Sequence, residues 1–337
     1  MPVQHPPGNS RRPTMTDVAA RAGVSLKTVS RVVNNVPSVD VELATRVRAA
    51  AADLNFIPNS LASSLRSSVR TSTIGLLIKD VENEFYATII SAVSEVATSR
   101  GWQLIVSNSG ENPADEMEAI LELCRRRVDG LLVVPTGGDH AALQVEIDRG
   151  IPVVFLDREP KNLAADAVLI DDIEGARRGI TRLIEQGHTR IVALVDTVMM
   201  STMVRRVQGM RAAFTDAGLD ANLLDVIYDI ARPEQARAEV LKALARQDPP
   251  TAFMCGNNRS GVGALTALWE LRRPESLVMF DDFYLSQLMP MPFTVVTYDI
   301  RAIGRVGAEL LFRRIDGERF APQTVVLPTR LINRGIG

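Results

Sequence analysis

Residues 13–34 read PTMTDVAARAGVSLKTVSRVVN, and the punctuation of this stretch restricts the fold more than any other part of the chain. Thr14 or Thr16 supplies a side-chain oxygen to start a helix that carries Val18, Ala19 and Ala22 on one face. Gly23 permits the tight turn that a residue with a Cβ would resist. Ser25 then caps a second helix, which turns Val29, Val32 and Val33 inward at three-and-four spacing and leaves Leu26, Lys27, Ser30, Arg31 and Asn34 outside. After NNVPS, Asp40 starts a third helix with Leu43, Val47, Ala50, Ala51 and Leu54 facing in. Periodicity alone suits any helical hairpin with a polar exterior equally well. An exposed face of short polar and cationic groups also suits the major groove of a duplex, where Lys and Arg donate to guanine O6 and N7.

Charge is divided along the chain. Residues 1–70 hold nine Lys and Arg against four Asp and Glu, a net +5, whereas the other 267 residues carry a net −7. A positive module on a negative body steers toward phosphates while the body stays off them. Individually, Arg11, Arg12, Arg21, Arg46 and Arg48 also read as solvated surface. At 337 residues the remainder is long enough for two ordinary domains. No apolar run approaches the ~20 residues of a membrane span, and MPVQHPPGNSRRP lacks the apolar centre of a signal peptide. A soluble cytoplasmic (nucleoid-associated) protein with no membrane partner is expected, with residues 1–12 as a disordered tail. The two cysteines, Cys124 and Cys255, have neither a CxxC spacing nor a nearby His and read as buried reduced thiols.

Beyond Arg70 the pattern becomes strands alternating with amphipathic helices. Short β-branched runs at 74–78, 103–107, 130–134, 152–156 and 167–170 form one set. Runs at 190–195, 225–230, 251–255, 276–280 and 293–297 form a second. Two successive open α/β sheets put ligand sites at the carboxyl ends of their strands, so the cleft between them is the expected pocket. GNNRSGVG (256–263) has two glycines five apart, but Val262 and Gly263 stand where a phosphate-binding loop needs Lys and Ser or Thr. His5, His140 and His188 are scattered, so neither a metal site nor a His-based triad is indicated, and no cofactor is expected.

The run DVAxxAGVSxxTVSRVVN followed by LNxxPNxxAxxLR resembles the LacI/GalR-type (lactose-repressor) family of bacterial transcription regulators, nearly continuously from Pro13 to Arg66. The resemblance implies that Leu26, Lys27 and Arg31 read operator bases, that Thr28, Ser30 and Asn34 hold phosphates or position the helix, and that Thr14 lies at the same interface. For the segment PNSLASSLRSS it implies DNA contacts from Asn59, Ala62 and Leu65, with Leu65 wedged into the central minor-groove step. Five serines make this segment a poor autonomous helix, to be ordered on DNA against a dimer mate.

Over the body, the resemblance implies the type I periplasmic-binding-protein fold, with three chain crossings between lobes near residues 170, 298 and 326. It implies effector contacts from Phe85 and Tyr86 after the first strand, the Asp157-Arg158 pair after the fourth, Arg206 in VRRVQGM, Asn257, and Asp281 in VMFDD. Each has a plainer reading: the Asp-Arg pair as a surface ion pair, and the two rings as lobe core. Departures from the family pattern are Glu84 where a proline is usual, Asn258 where an aspartate is usual, a shortened link at 270–276, and Ile230 where some members place a sugar-stacking aromatic. They point away from a standard sugar effector, toward a non-carbohydrate ligand or a weakened response.

The expected organisation is a helix-turn-helix headpiece at 13–57, a hinge helix or linker at 58–70, and an effector-binding and dimerisation body at 71–337. Within the body, the N-lobe takes about 71–170 plus 299–326 and the C-lobe about 171–297 plus 327–337. The expected fold class is a small all-α headpiece joined to an α/β body of two open parallel-sheet lobes. The expected function is that of an effector-controlled transcription regulator, a repressor. It acts as a homodimer on a double-stranded, pseudo-palindromic operator, with a small-molecule effector, a sugar or related polar metabolite. Closing on LINRGIG without a heptad segment favours a dimer over a tetramer. Two alternatives stay open: a DNA-binding regulator or architectural protein that has lost effector sensing and, more distantly, an enzyme with an accessory DNA-binding module.

Overall fold

The structure, a computed structural model, describes residues 13–33, 36, 39–56, 70–110 and 112–336. The chain divides into two units, Met1–Thr71 and Ser72–Gly337.

The first unit contains three helices among its described residues: α1 (Met15–Ala22), α2 (Leu26–Val33) and α3 (Val41–Asp53). Of the two threonines that could start α1, Thr14 does so. Its hydroxyl accepts from the Asp17 amide and the Asp17 carboxylate accepts from the Thr14 amide, a reciprocal cap. Gly23 closes α1 at φ 64°, the left-handed conformation that glycine adopts without steric cost. Ser25 caps α2, its Oγ accepting from the Thr28 amide at 3.1 Å. Val18, Ala19, Ala22, Val29, Val32, Ala44, Val47 and Ala50 make the core.

Two details differ from the sequence reading. In α3, Val47 and Ala50 are buried as expected, but Ala44, not Leu43, is the buried residue of the first turn; Leu43, Ala51, Leu54 and, on α2, Val33 are half-buried at the margin of the core. Arg46 is not merely solvated, because its guanidinium donates to the Ala22 carbonyl at 2.6 Å and so satisfies an open end of α1. Asn34, Asn59, Ala62 and Leu65 lie outside the described residues.

The second unit holds two six-stranded sheets. The first has the order β11-β5-β4-β3-β1-β2, all parallel, from β1 (Thr73–Ile78), β2 (Gln103–Asn108), β3 (Leu131–Val133), β4 (Val153–Leu156), β5 (Asp166–Ile170) and β11 (Thr324–Leu327). The second has the order β12-β10-β9-β8-β6-β7, from β6 (Ile191–Leu194), β7 (Asp225–Ile227), β8 (Ala252–Cys255), β9 (Ser276–Phe280), β10 (Phe293–Thr297) and β12 (Arg330–Arg334). Only β12 runs antiparallel, against β10. Ten of these strands are expected from the sequence; β11 and β12 are not, because both are short, half-exposed edge strands, β11 (TVVL) only four residues long and β12 (RLINR) interrupted by charged and polar residues.

Helices α4 (Glu84–Ser99), α5 (Pro113–Arg125), α6 (Gln144–Asp148) and α11 (Ile300–Ile315) belong with the first sheet; α7 (Asp172–Glu185), α8 (Ser201–Asp216), α9 (Pro233–Leu244) and α10 (Asn258–Leu271) belong with the second. The strands are apolar on both faces, as helix-covered parallel sheets require: β1, β3, β4, β6 and β8 are buried almost throughout. The two sheets repeat one plan. The third strand of each order, β4 or β9, is followed by an aspartate with φ 67°, Asp157 or Asp281, whose amide donates to the neighbouring strand at Val168 or Val296. Cys124 is half-buried on α5, Cys255 is buried at the end of β8, and both are free thiols. Among the described residues, no helix is long and apolar enough to cross a membrane.

Candidate functional site

Helix α2 presents Leu26, Lys27 and Arg31 to solvent, while Thr28 and Ser30 are half-buried at the edges of that face. The Thr28 hydroxyl lies 2.9 Å from Ser25 Oγ, which ties it to the capping turn. Thr14 sits at the start of α1 with its hydroxyl bonded to Asp17 at 2.7 Å. Leu26 is 47% accessible, an apolar side chain exposed beside Lys27.

In the body, the strand ends of both sheets converge on one cleft. Phe85, Tyr86, Asp157, Arg158, Arg206, Asn257 and Asp281 all line it, so the seven residues proposed from sequence are brought together. The cavity they enclose is about 50 Å³. Asp157 and Arg158 are only 4% and 6% accessible, which rules out the surface-ion-pair reading. Arg158 donates to the Pro135 carbonyl at 2.8 Å and to the Tyr86 hydroxyl at 3.4 Å, with its Nε 3.3 Å from Asp157. Phe85 and Tyr86 serve two purposes, packing in the core and lining the cleft. Burial pushes the Tyr86 hydroxyl up to about 12, despite the opposing charge of Arg158, so it stays a neutral donor and acceptor.

Arg206 projects from α8 between two carboxylates. Its Nε donates to Asp172 at 2.8 Å, its Nη1 donates to the Gly256 carbonyl, and Asp281 lies 3.8 Å away. The guanidinium also covers the Phe280 ring at 3.9 Å. Burial disfavours its charge, but Asp172 and Asp281 more than offset that and hold it protonated. Burial pushes Asp172 up to about 6 against the pull of Arg206. Asp281 is raised for the same reason and accepts from the Tyr298 hydroxyl at 2.6 Å. Asn257 spends its side chain on capping α10, accepting from the Ser260 amide at 2.9 Å. Packing accounts for the apparent phosphate-loop spacing: Gly256 lies against Val195 and Met203, and Gly261 against Met279.

Several cleft groups were not singled out from sequence. Lys79 and Asp196 follow β1 and β6, strand-end positions that the repeat of the two sheets makes equivalent, and that repeat was the available signal. Asp172 had none, since nothing local ties it to an arginine 34 positions on. His140, scattered in sequence, is fully buried with Glu116. Its Nδ1 accepts from the Lys161 amide at 3.1 Å, so Nε2 carries the proton and donates to Glu116 Oε1 at 2.6 Å. The other Glu116 oxygen accepts from the Thr136 amide, which anchors the loop whose Pro135 carbonyl holds Arg158. Gly137 in that loop lies against the second lobe, where a Cβ would come within 2.5 Å of the Met199 carbonyl oxygen. Among the described residues, no cluster of His, Cys, Asp and Glu suited to a metal ion is present.

A family described as periplasmic binding proteins and sugar binding domain of LacI family matches residues 71–334, and bacterial regulatory proteins, lacI family, match residues 14–59. The chain is 32% identical over 330 residues to the HTH-type transcriptional repressor PurR of Erwinia tasmaniensis, which covers 96% of each protein. The transcriptional regulator CelR in its cellobiose complex is similar at 30% identity and TM-score 0.68, over 95% of this chain and 98% of that one. The lac repressor dimer bound to operator and the anti-inducer ONPF is similar at 25% identity and TM-score 0.83, over 96% and 98%. These relatives are transcription regulators, not enzymes. With a capped, basic helix pair, an interlobe cleft and matches that together run from residue 14 to 334, the chain belongs to the LacI family of bacterial regulatory proteins, DNA-binding regulators controlled by an effector.

Proposed function

We propose that the chain acts in the cytoplasm as a homodimeric repressor without enzymatic activity, with residues 13–57 as headpiece, 58–70 as hinge and 71–337 as the effector-binding body. In this reading α2 enters the major groove, Leu26, Lys27 and Arg31 meet base edges, and Thr14, Thr28 and Ser30 fix the register on phosphates, which carry no sequence information directly. Asn34, Asn59, Ala62 and Leu65 keep the operator contacts that the family resemblance gives them. The observation that carries the body's role is the convergence of buried Asp157, Arg158, Arg206 and Asp281 on one cleft. Paired guanidiniums and carboxylates offer directed donors and acceptors to the hydroxyls or ring nitrogens of a small polar metabolite. Cellobiose, the ligand of CelR, is one candidate from relatives. Effector binding changes the angle between the lobes, and residues 58–70 pass that change to the headpieces, a coupling of order 1–3 kcal/mol.

Selection of duplex DNA by the purified protein tests the headpiece. It should return a two-fold sequence whose symmetric positions relax in Lys27→Ala, while Thr28→Ala weakens all sequences alike. An unchanged preference in the Lys27 variant would remove that residue from the reading set. A thermal-shift screen of small polar metabolites tests the cleft, and a hit that still stabilises Arg206→Ala would place the effector elsewhere.

A further inference from the structure

The chain shuts its cleft with its own side chains. On the first lobe, Lys79 and Asp80 follow β1 and Asn83 caps α4, accepting from the Phe85 amide at 3.1 Å. Each meets a partner on the second lobe. Asp80 pairs with Arg259, Lys79 Nζ lies 3.7 Å from Asp196, and Asn258 Nδ2 donates to Asn83 Oδ1 at 3.0 Å. Lys79 and Asp196 are buried, and Asp80 and Arg259 are partly so, which puts these pairs where solvent screens them less than surface ion pairs. The cavity that these side chains line, about 50 Å³, is far below the ~300–1,000 Å³ typical of small-molecule sites.

We propose that Asp80–Arg259, Lys79–Asp196 and Asn83–Asn258 form an intramolecular latch that holds the lobes together without effector and thereby sets the resting affinity for operator DNA. The proposal rests on the reading of the cleft as the effector site. It also explains Asn258, the departure from the family's aspartate. Asn83 Oδ1 is an acceptor, so the group facing it across the cleft must donate. An amide at 258 does so; a carboxylate would set acceptor against acceptor. Asn258→Asp is nearly isosteric and adds a negative charge at the N-terminus of α10, where the helix dipole favours it, so it strikes the latch while leaving that helix sound.

Hydrogen exchange and operator binding on the full-length dimer, with no added small molecule, test the latch. Amides of 79–86 and 256–260 should exchange several-fold faster in Asn258→Asp and in Arg259→Asp than in the wild type. The double variant Asp80→Arg with Arg259→Asp should restore the wild-type rates. Operator affinity, read by fluorescence anisotropy, should move about tenfold in one common direction in the single variants and return in the double variant. Unchanged exchange in both single variants overturns the latch, as does a double variant that stays open. Faster exchange with unaltered operator affinity overturns its regulatory role. If the wild type binds no DNA the headpiece reading fails, and if no effector is found the cleft reading fails; in either case the exchange rates still decide the latch.

Discussion

Arg206 illustrates how much of a binding residue's chemistry is fixed before any ligand arrives. Its guanidinium neutralises Asp172 and Asp281 in a place where an unpaired carboxylate is costly. Arg206→Ala should therefore destabilise the body by about 3–5 kcal/mol, the range for breaking a buried ion pair, and should also abolish any effector response. Chemical denaturation of the two proteins measures it, and an unaltered midpoint would mean water enters to solvate both carboxylates. Glu116 gives a pH-dependent counterpart. Burial favours its neutral form, but hydrogen bonds from His140 and Thr136 outweigh that and hold the carboxyl below its ordinary value of 4.5. A depressed carboxyl stabilises the fold above the unfolded-state pKa and loses that contribution as pH falls through the folded-state value. Glu116→Gln should cost about 1–3 kcal/mol at pH 7, and the gap to the wild type should close as the pH is lowered below 4.5. A gap that stays constant from pH 7 to pH 3.5 would show that the ionised form is not what the site stabilises.

At the scale of elements, the headpiece was the most legible part of the chain, because each of its helices is punctuated locally. Thr14, Gly23, Ser25 and Asp40 act on amides or turns within a few positions of themselves. Ser25→Ala should weaken α2 by ~0.5–2 kcal/mol and lower operator affinity for every sequence equally. A change in the preferred operator would instead mean that Ser25 contacts a base. In α3, Val47 and Ala50 are legible as inward-facing but Ala44 is not, since in a helix rich in alanine a small residue gives little apolar signal. In the body, the central strands were legible from their β-branched runs. The residues that join the lobes were not. Lys79 and Asp196 are 117 positions apart, and pairing over that distance is set by the way two sheets meet. The seven cleft residues were found through the family resemblance, and the burial that turns the Asp157-Arg158 pair from surface decoration into cleft chemistry appears only in the fold.

For the whole molecule, a family that acts on two-fold operators implies two protomers on each duplex. Sedimentation of the protein with its selected operator should give two chains per duplex, and binding should weaken steeply with salt as the basic headpieces release counterions. One chain per duplex would reject the dimer reading. The order in which the chain is made adds a constraint of its own. Thr324–Leu327 supplies one outer strand of the first sheet and Arg330–Arg334 one outer strand of the second, so neither sheet is complete until its own segment, among the last residues of the body, has left the ribosome. Until then β5 and β10, apolar and buried in the finished protein, each present an open edge, the kind of template on which nascent chains pair wrongly. A ribosome stalled before residue 324 would thus leave two unfinished sheets side by side rather than one folded lobe and one missing, and chaperone dependence should be shared by both.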